Sequence, residues 1–157
     1  MSAACLIGKK TIHDIGNIQL ILGPMFSGKT TELLRRLARY RVAGKKCLLV
    51  KHSSDVRYSD KCVVVTHNKQ QQTAELVCER LDNTYEIFKT GNYDVICIDE
   101  GQFFEDIVPV SEFLANTGKV VIVAALDGNF HRKPFSNISE LISHADDFVK
   151  LHSVCMD

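Results

Sequence analysis

The sequence predicts an α/β fold, a mostly parallel sheet flanked by helices, and three observations carry that expectation. Short apolar runs rich in β-branched residues recur along the 157 residues, with helical-period stretches between them. In the run from Tyr93 to Ile98 the body is apolar and charge appears abruptly at its C-terminal end, the pattern of a central parallel strand covered on both faces. A glycine-rich turn joins the first run directly to a helical pattern, as right-handed crossover units require. The length matches one domain at roughly 100–200 residues per domain. The expected division is a flexible arm at 1–17 and a single α/β domain at 18–157.

Taken in order, Ile18 to Leu22 is a buried strand closed by Gly23-Pro24. From Lys29 the period becomes helical, with Leu33, Leu34, Leu37 and Ala38 on one face and Glu32, Arg35, Arg36 and Arg39 on the rest, and Gly44 is the natural stop. Cys47 to Val50 reads as a second strand, Val63 to Val65 as a short third, and Thr73 to Leu81 as a modest helix. After the strand ending at Ile98, Glu105 to Asn116 is an amphipathic helix stopped by Gly118. Val120 to Leu126 is the most strand-like stretch, Ser136 to Ser143 a short helix and Phe148 to Leu151 a last strand.

Composition excludes several classes of function. Nineteen Lys and Arg balance nineteen Asp and Glu, so no global charge draws the chain to nucleic acid or to a membrane surface. The longest apolar runs fall far short of the ~20 residues of a spanning helix. Met1 to Gly8 precedes Lys9 and Lys10, the reverse of a secretory signal's order, so a cytoplasmic location is expected. The six cysteines are scattered, and Cys47 and Cys97 lie in strand-like runs, which reads as free buried thiols in a reducing compartment.

Gly23-Pro24-Met25-Phe26-Ser27-Gly28-Lys29-Thr30 fits G-x-x-x-x-G-K-[ST] at every defined position, after a strand and at the start of a helix. Curled backbone N–H groups and the positive end of the helix dipole make such a loop an anion cradle. Lys29 would span the β- and γ-phosphates of a bound nucleotide, and Thr30 would offer its hydroxyl to Mg²⁺. Asp99 stands at the end of a later apolar run, where a P-loop protein places the carboxylate for its metal. Glu100 follows directly, and adjacent strand-end residues point different ways, so one acid can serve Mg²⁺ while the other addresses a nucleophile. That nucleophile is either an acceptor hydroxyl or a water.

The phosphate loop with Met25-Phe26, the string Ile98-Asp99-Glu100-Gly101-Gln102-Phe103-Phe104, and the stretch from Val121 to Phe130 followed by Arg132-Lys133-Pro134-Phe135 together closely resemble the cytosolic, poxvirus-type thymidine kinases. The likeness runs from about Ile18 to Met156 and includes Asp55-Val56-Arg57-Tyr58 and Thr66-His67. It implies transfer of the ATP γ-phosphoryl group to the 5′-hydroxyl of thymidine with Mg²⁺, on a RecA-like core that assembles as a homotetramer. Carried over by position, it makes Glu100 the proton acceptor and Gly23 to Thr30 the ATP loop. Asp55, Val56 and Arg57, together with Asp99, Glu100, Gly101 and Gln102, become further ATP-site segments. Phe130 is implied as a substrate contact, and Met25, Phe103, Leu126 and Phe135 as walls of the nucleoside pocket. Arg57 is a candidate to stabilise charge on the transferring phosphoryl group.

Members of that family also carry a small C-terminal lobe with a structural zinc held by two Cys-x-x-Cys pairs and a lasso over the base. Here Cys155-Met156-Asp157 matches only the start of the first pair, and one cysteine falls short of the four ligands a structural zinc wants. Zinc and the lasso are therefore expected to be absent, and thymidine turnover to be weakened, because positioning supplies much of the rate in phosphoryl transfer. Two other readings stay open: a non-catalytic ATP-binding or subunit-modulating relative, and a P-loop ATPase. A GTPase is disfavoured, since Asn68-Lys69-Gln70-Gln71 lacks the acid of a guanine-reading N-K-x-D.

Overall fold

The computed structural model describes residues 15–55, 63–66 and 71–153. Its strands are β1 (Asn17–Gly23), β2 (Cys47–His52), β3 (Val63–Val65), β4 (Gln71–Thr73), β5 (Leu76–Cys78), β6 (Val95–Ile98), β7 (Val120–Leu126) and β8 (Asp147–Lys150). Its helices are α1 (Lys29–Val42), α2 (Tyr85–Thr90), α3 (Ile107–Asn116) and α4 (Ser136–His144). Six strands form one sheet in the order β5-β2-β6-β7-β1-β8, every pair parallel. The C-terminal ends of all six therefore lie along one edge, where α/β sheets place their ligands. β7 separates the strand of the phosphate loop, β1, from the strand of the acid pair, β6.

The continuous apolar runs follow from a sheet covered on both sides. One face of the sheet joins Ile21, Leu49, Cys97, Ile122 and Ala124 to Leu33 and Leu37 of α1. The neighbouring residues in each strand, Leu20, Leu48, Ile96, Val121 and Val123, point the other way. They pack with Phe88 of α2, Ile107, Val110 and Leu114 of α3, and Ile138 and Leu141 of α4. The period of two residues per strand thus divides a single apolar run between two cores. Each fully buried Leu or Ile contributes roughly 1.5–3 kcal/mol.

The C-terminus of α1 closes as expected around Gly44: its N–H donates to the Arg41 carbonyl at 2.9 Å and the N–H of Lys45 to the Tyr40 carbonyl at 3.0 Å. These are the two bonds of a Schellman motif. Cys47 and Cys97 are free and buried, and burial raises both thiols, so neither is a poised thiolate.

Two local expectations need correction. The segment from Thr73 to Leu81 is not a helix: β5 pairs with β2, Val50 opposite Leu76, Lys51 opposite Val77 and His52 opposite Cys78. An open sheet edge overrides a weak helical period there, and a side-chain bond from Arg41 to Glu75, 2.5 Å, pins the approach to α1. Val63 to Val65 is a strand as expected, but it belongs to a separate antiparallel hairpin with β4, not to the main sheet. Among the described residues strand and helix therefore do not alternate between β2 and β5. Helix α2, anchored by buried Phe88, has too short an apolar period to be read locally.

Candidate active site

β1 delivers the phosphate loop. Phe26 and Gly28 both hold left-handed backbone, at φ 64° and 86°, between residues of ordinary conformation. Interleaved handedness of this kind turns successive N–H groups toward one side and makes an anion nest. Gly28 is the last residue before α1, so the nest opens onto the helix N-terminus. Inside the loop Ser27 Oγ and Lys29 Nζ each donate to the Pro24 carbonyl at 2.7 Å. The buried Lys29 ammonium is thereby folded back over the loop it would serve.

β6 delivers the acid pair, and both carboxylates are buried. Thr30, in the first turn of α1, donates its hydroxyl to Asp99 at 3.2 Å. Burial pushes Asp99 up to about 7, with Glu100 and Asp55 adding repulsion and the Thr30 hydroxyl opposing it. Glu100 holds left-handed backbone, φ 52° and ψ 49°, a conformation uncommon outside glycine and concentrated at functional sites. Its Oε2 accepts a hydrogen bond of 2.5 Å from Gln102 Nε2. The two neighbouring acids thus take different partners.

β2 and β7 complete the edge. Lys51, 1% exposed, lies 3.7 Å from the buried Asp55 carboxylate. His52 is buried edge-on to Phe104, ring centroids 4.8 Å apart, and tilted against Phe103 at 5.6 Å. Its Nδ1 accepts from the Ser54 N–H at 3.0 Å, so in the neutral ring the proton sits on Nε2. At the end of β7, Asp127 pairs with Lys150 of β8 at 2.8 Å. That pairing opposes burial and leaves the Asp127 carboxyl below its usual range, with Lys29 adding to the effect. Lys51, His52 and Asp127 did not stand out in the sequence. One signal was available, because Lys51-His52 ends an apolar run as Asp99-Glu100 does.

The residues expected around a nucleoside are placed unequally. Leu126 is half-buried, and its N–H donates to Gln102 Oε1 at 3.1 Å, which ties it to Glu100. Phe103 and Met25 are 42% and 50% exposed on loops of this edge. Phe130 is 90% exposed, on the turn bridged by Gly128 and Pro134, with its ring 4.0 Å from that of His131. Phe135 packs against the apolar core beside α4. Val56, Arg57, Tyr58, His67 and Cys155 lie outside the described residues, so the expectations that rest on them, zinc included, do too.

For Mg²⁺ the available donors fit: a hydroxyl and a buried carboxylate already in contact, both hard oxygen ligands, with the carboxylate carrying more negative neighbours than its surroundings offset. Among the described residues no helix is long and apolar enough to cross a membrane.

The glycine-rich loop, the carboxylate bonded to the helix that follows it and the separately held second acid thus meet at one edge of the sheet. The family model described as thymidine kinase matches residues 16–157. The chain is 56% identical over 144 residues to thymidine kinase 1 of Dictyostelium discoideum, covering 90% of this chain and 62% of that protein. It is 52% identical over 145 residues to the thymidine kinase of rabbit fibroma virus (strain Kasza), covering 90% and 76%. Against the thymidine kinase of vaccinia virus (strain Ankara) it is 51% identical over 144 residues, covering 90% and 77%. The chain thus spans less than two thirds of the Dictyostelium protein and about three quarters of the viral ones. With its phosphate loop and acid pair inside the matched residues, this chain belongs to the thymidine kinase family.

Proposed function

We propose that this chain is an ATP-dependent thymidine kinase that passes the γ-phosphoryl group to the 5′-hydroxyl, yielding dTMP and ADP. The observation that carries the reading is the division of labour between adjacent acids: Asp99 bonded to Thr30 beside the phosphate loop, Glu100 held apart by Gln102. The loop from Gly23 to Thr30 holds the phosphates through its amides and Lys29, and Asp55 to Arg57 and Asp99 to Gln102 complete the ATP site. Thr30 and Asp99 would hold Mg²⁺, which when bound neutralises phosphate charge.

Glu100 takes the proton of the 5′-hydroxyl at its carboxylate. The 5′-oxygen then bonds to the γ-phosphorus as the bond to the β-phosphate oxygen breaks, and ADP leaves with that electron pair. Met25, Phe103, Leu126, Phe130 and Phe135 wall the nucleoside, whose flat base suits aromatic neighbours. Assembly as a homotetramer and residence in the cytoplasm belong to the same proposal and rest on the resemblance to the cytosolic, poxvirus-type enzymes.

The test is incubation with γ-labelled ATP and Mg²⁺, with and without thymidine. Label on thymidine supports the proposal. Phosphate release that ignores thymidine points to an ATPase, and ATP binding without either product points to a non-catalytic relative. Light scattering after size exclusion checks the tetramer.

A further inference from the structure

We propose that Gln102 is a positioning residue for the Glu100 carboxylate, locked in place by Asn137 and coupled through Leu126 to the nucleoside wall. The inference deepens the kinase reading above and rests on it for the role of Glu100. Gln102 is buried, and both ends of its side-chain amide are committed. Its Oε1 accepts the Leu126 N–H at 3.1 Å, which only the oxygen of an amide can do, so Nε2 must be the end turned to Glu100. One planar group therefore bridges the end of β7 and the acid, and its orientation has a single solution.

The main chain around it is held just as firmly. Asn137, in the first turn of α4, donates Nδ2 to the carbonyls of both Gln102, 3.2 Å, and Phe104, 2.9 Å. Its own Oδ1 accepts the Ile138 N–H at 2.9 Å, which fixes the amide's sense. Gly101 lies so close to β7 that a Cβ there would sit 2.4 Å from Val123 Cγ1, so the segment packs directly on the strand and has no room for a side chain at that position. The left-handed backbone of Glu100 survives because these contacts over-determine it.

The chemistry needs this stiffness. A carboxylate that must meet a hydroxyl proton loses rate steeply with small displacements, whereas substrate affinity depends on many other contacts. Because Gln102 also accepts from Leu126, one amide links the base to the proposed nucleoside wall. Asn137 acts only through the loop carbonyls and stands apart from the phosphate loop.

The experiment compares wild-type protein with Gln102→Leu, Asn137→Ala and the double variant in steady-state kinetics, with crystal structures of the wild type and each single variant. Gln102→Leu should lower kcat by roughly 10- to 100-fold, with KM for thymidine changed less than about threefold. Its Glu100 carboxylate should leave the position it holds in the wild type. Asn137→Ala should lower kcat by a smaller factor, and the double variant should be no slower than Gln102→Leu alone, as expected when one residue acts through the other. Glu100 unmoved in both variants, kcat kept within about twofold, or additive losses would each overturn the proposal. If wild-type protein labels no thymidine, the kinase reading fails, and the crystallographic position of Glu100 still decides the positioning role. If Gln102→Leu does not fold, Asn137→Ala decides it by the same two readouts.

Discussion

Thr30 and Asp99, 69 residues apart in the chain, meet through a 3.2 Å hydrogen bond across the C-terminal edge of the sheet. The contact joins the first turn of α1 to the end of β6, although β7 lies between β1 and β6. The proposed binding of a metal-bound nucleotide needs this meeting of the glycine-rich loop's helix with a carboxylate.

Replacing the proposed base is the sharpest check of the chemistry. Glu100→Gln keeps size and polarity but accepts no proton, so transfer to thymidine should fall by about 10²–10⁴-fold. Calorimetric titration should still show the variant binding ATP with Mg²⁺. Transfer near the wild-type rate would remove Glu100 from its role.

Asp99 makes the opposite demand on stability. Its carboxyl, raised to about 7 by burial and by the neighbouring acids, titrates above its unfolded value of 3.8, so its contribution is present below that value and is lost as pH rises toward 7. Without metal, Asp99→Asn should therefore melt higher than wild type at pH 8, by roughly 2–4 °C for each kcal/mol relieved. The advantage should vanish near pH 4. Scanning calorimetry in a chelating buffer at both pH values reads this directly.

Glu32 shows the reverse sign. Hydrogen bonds and charge from Arg35 and Arg36 outweigh partial burial and lower its carboxyl to about 2 from 4.5. Its stabilisation is complete above the unfolded value and disappears as pH falls through about 2. Glu32→Gln should cost about 0.5–1 kcal/mol at pH 7 by urea denaturation, and nothing measurable near pH 2.

Breaking the interior pair at the end of β2 should be far more damaging. Lys51→Met leaves the Asp55 carboxylate buried without its cation 3.7 Å away, which costs about 3–5 kcal/mol. Urea midpoints of wild type and variant measure the loss. A variant within 1 kcal/mol of wild type would show that Asp55 finds other compensation.

The six strands of the main sheet divide sharply in how readable they were. β1, β2, β6 and β7 announce themselves as apolar runs, because a strand covered on both faces needs apolar residues along its length, while the exposed edge strand β8 shows only the short run from Phe148. β5 does not: Leu76, Val77 and Cys78 are strand only because β2 offers them an unpaired edge. The site divides in the same way. Gly23 to Thr30 and Asp99-Glu100 are contiguous strings whose spacing is set by local geometry, so they can be read in one dimension. Asp127 and Asn137 act through Lys150 and through the carbonyls of Gln102 and Phe104, far away in the chain, and nothing adjacent to them marks the role.

What the chain alone determines is therefore the set of parts: two cores from alternating apolar residues, a phosphate loop between a strand and a helix, and two acids at a strand end. Backbone torsions and burial periodicity act over a few residues, and those are written locally. Only the tertiary structure decides how the parts face one another, setting Asp99 on Thr30 and Glu100 on Gln102, because side-chain amides and carboxylates choose their partners by distance in space. Strand order and helix packing set those distances.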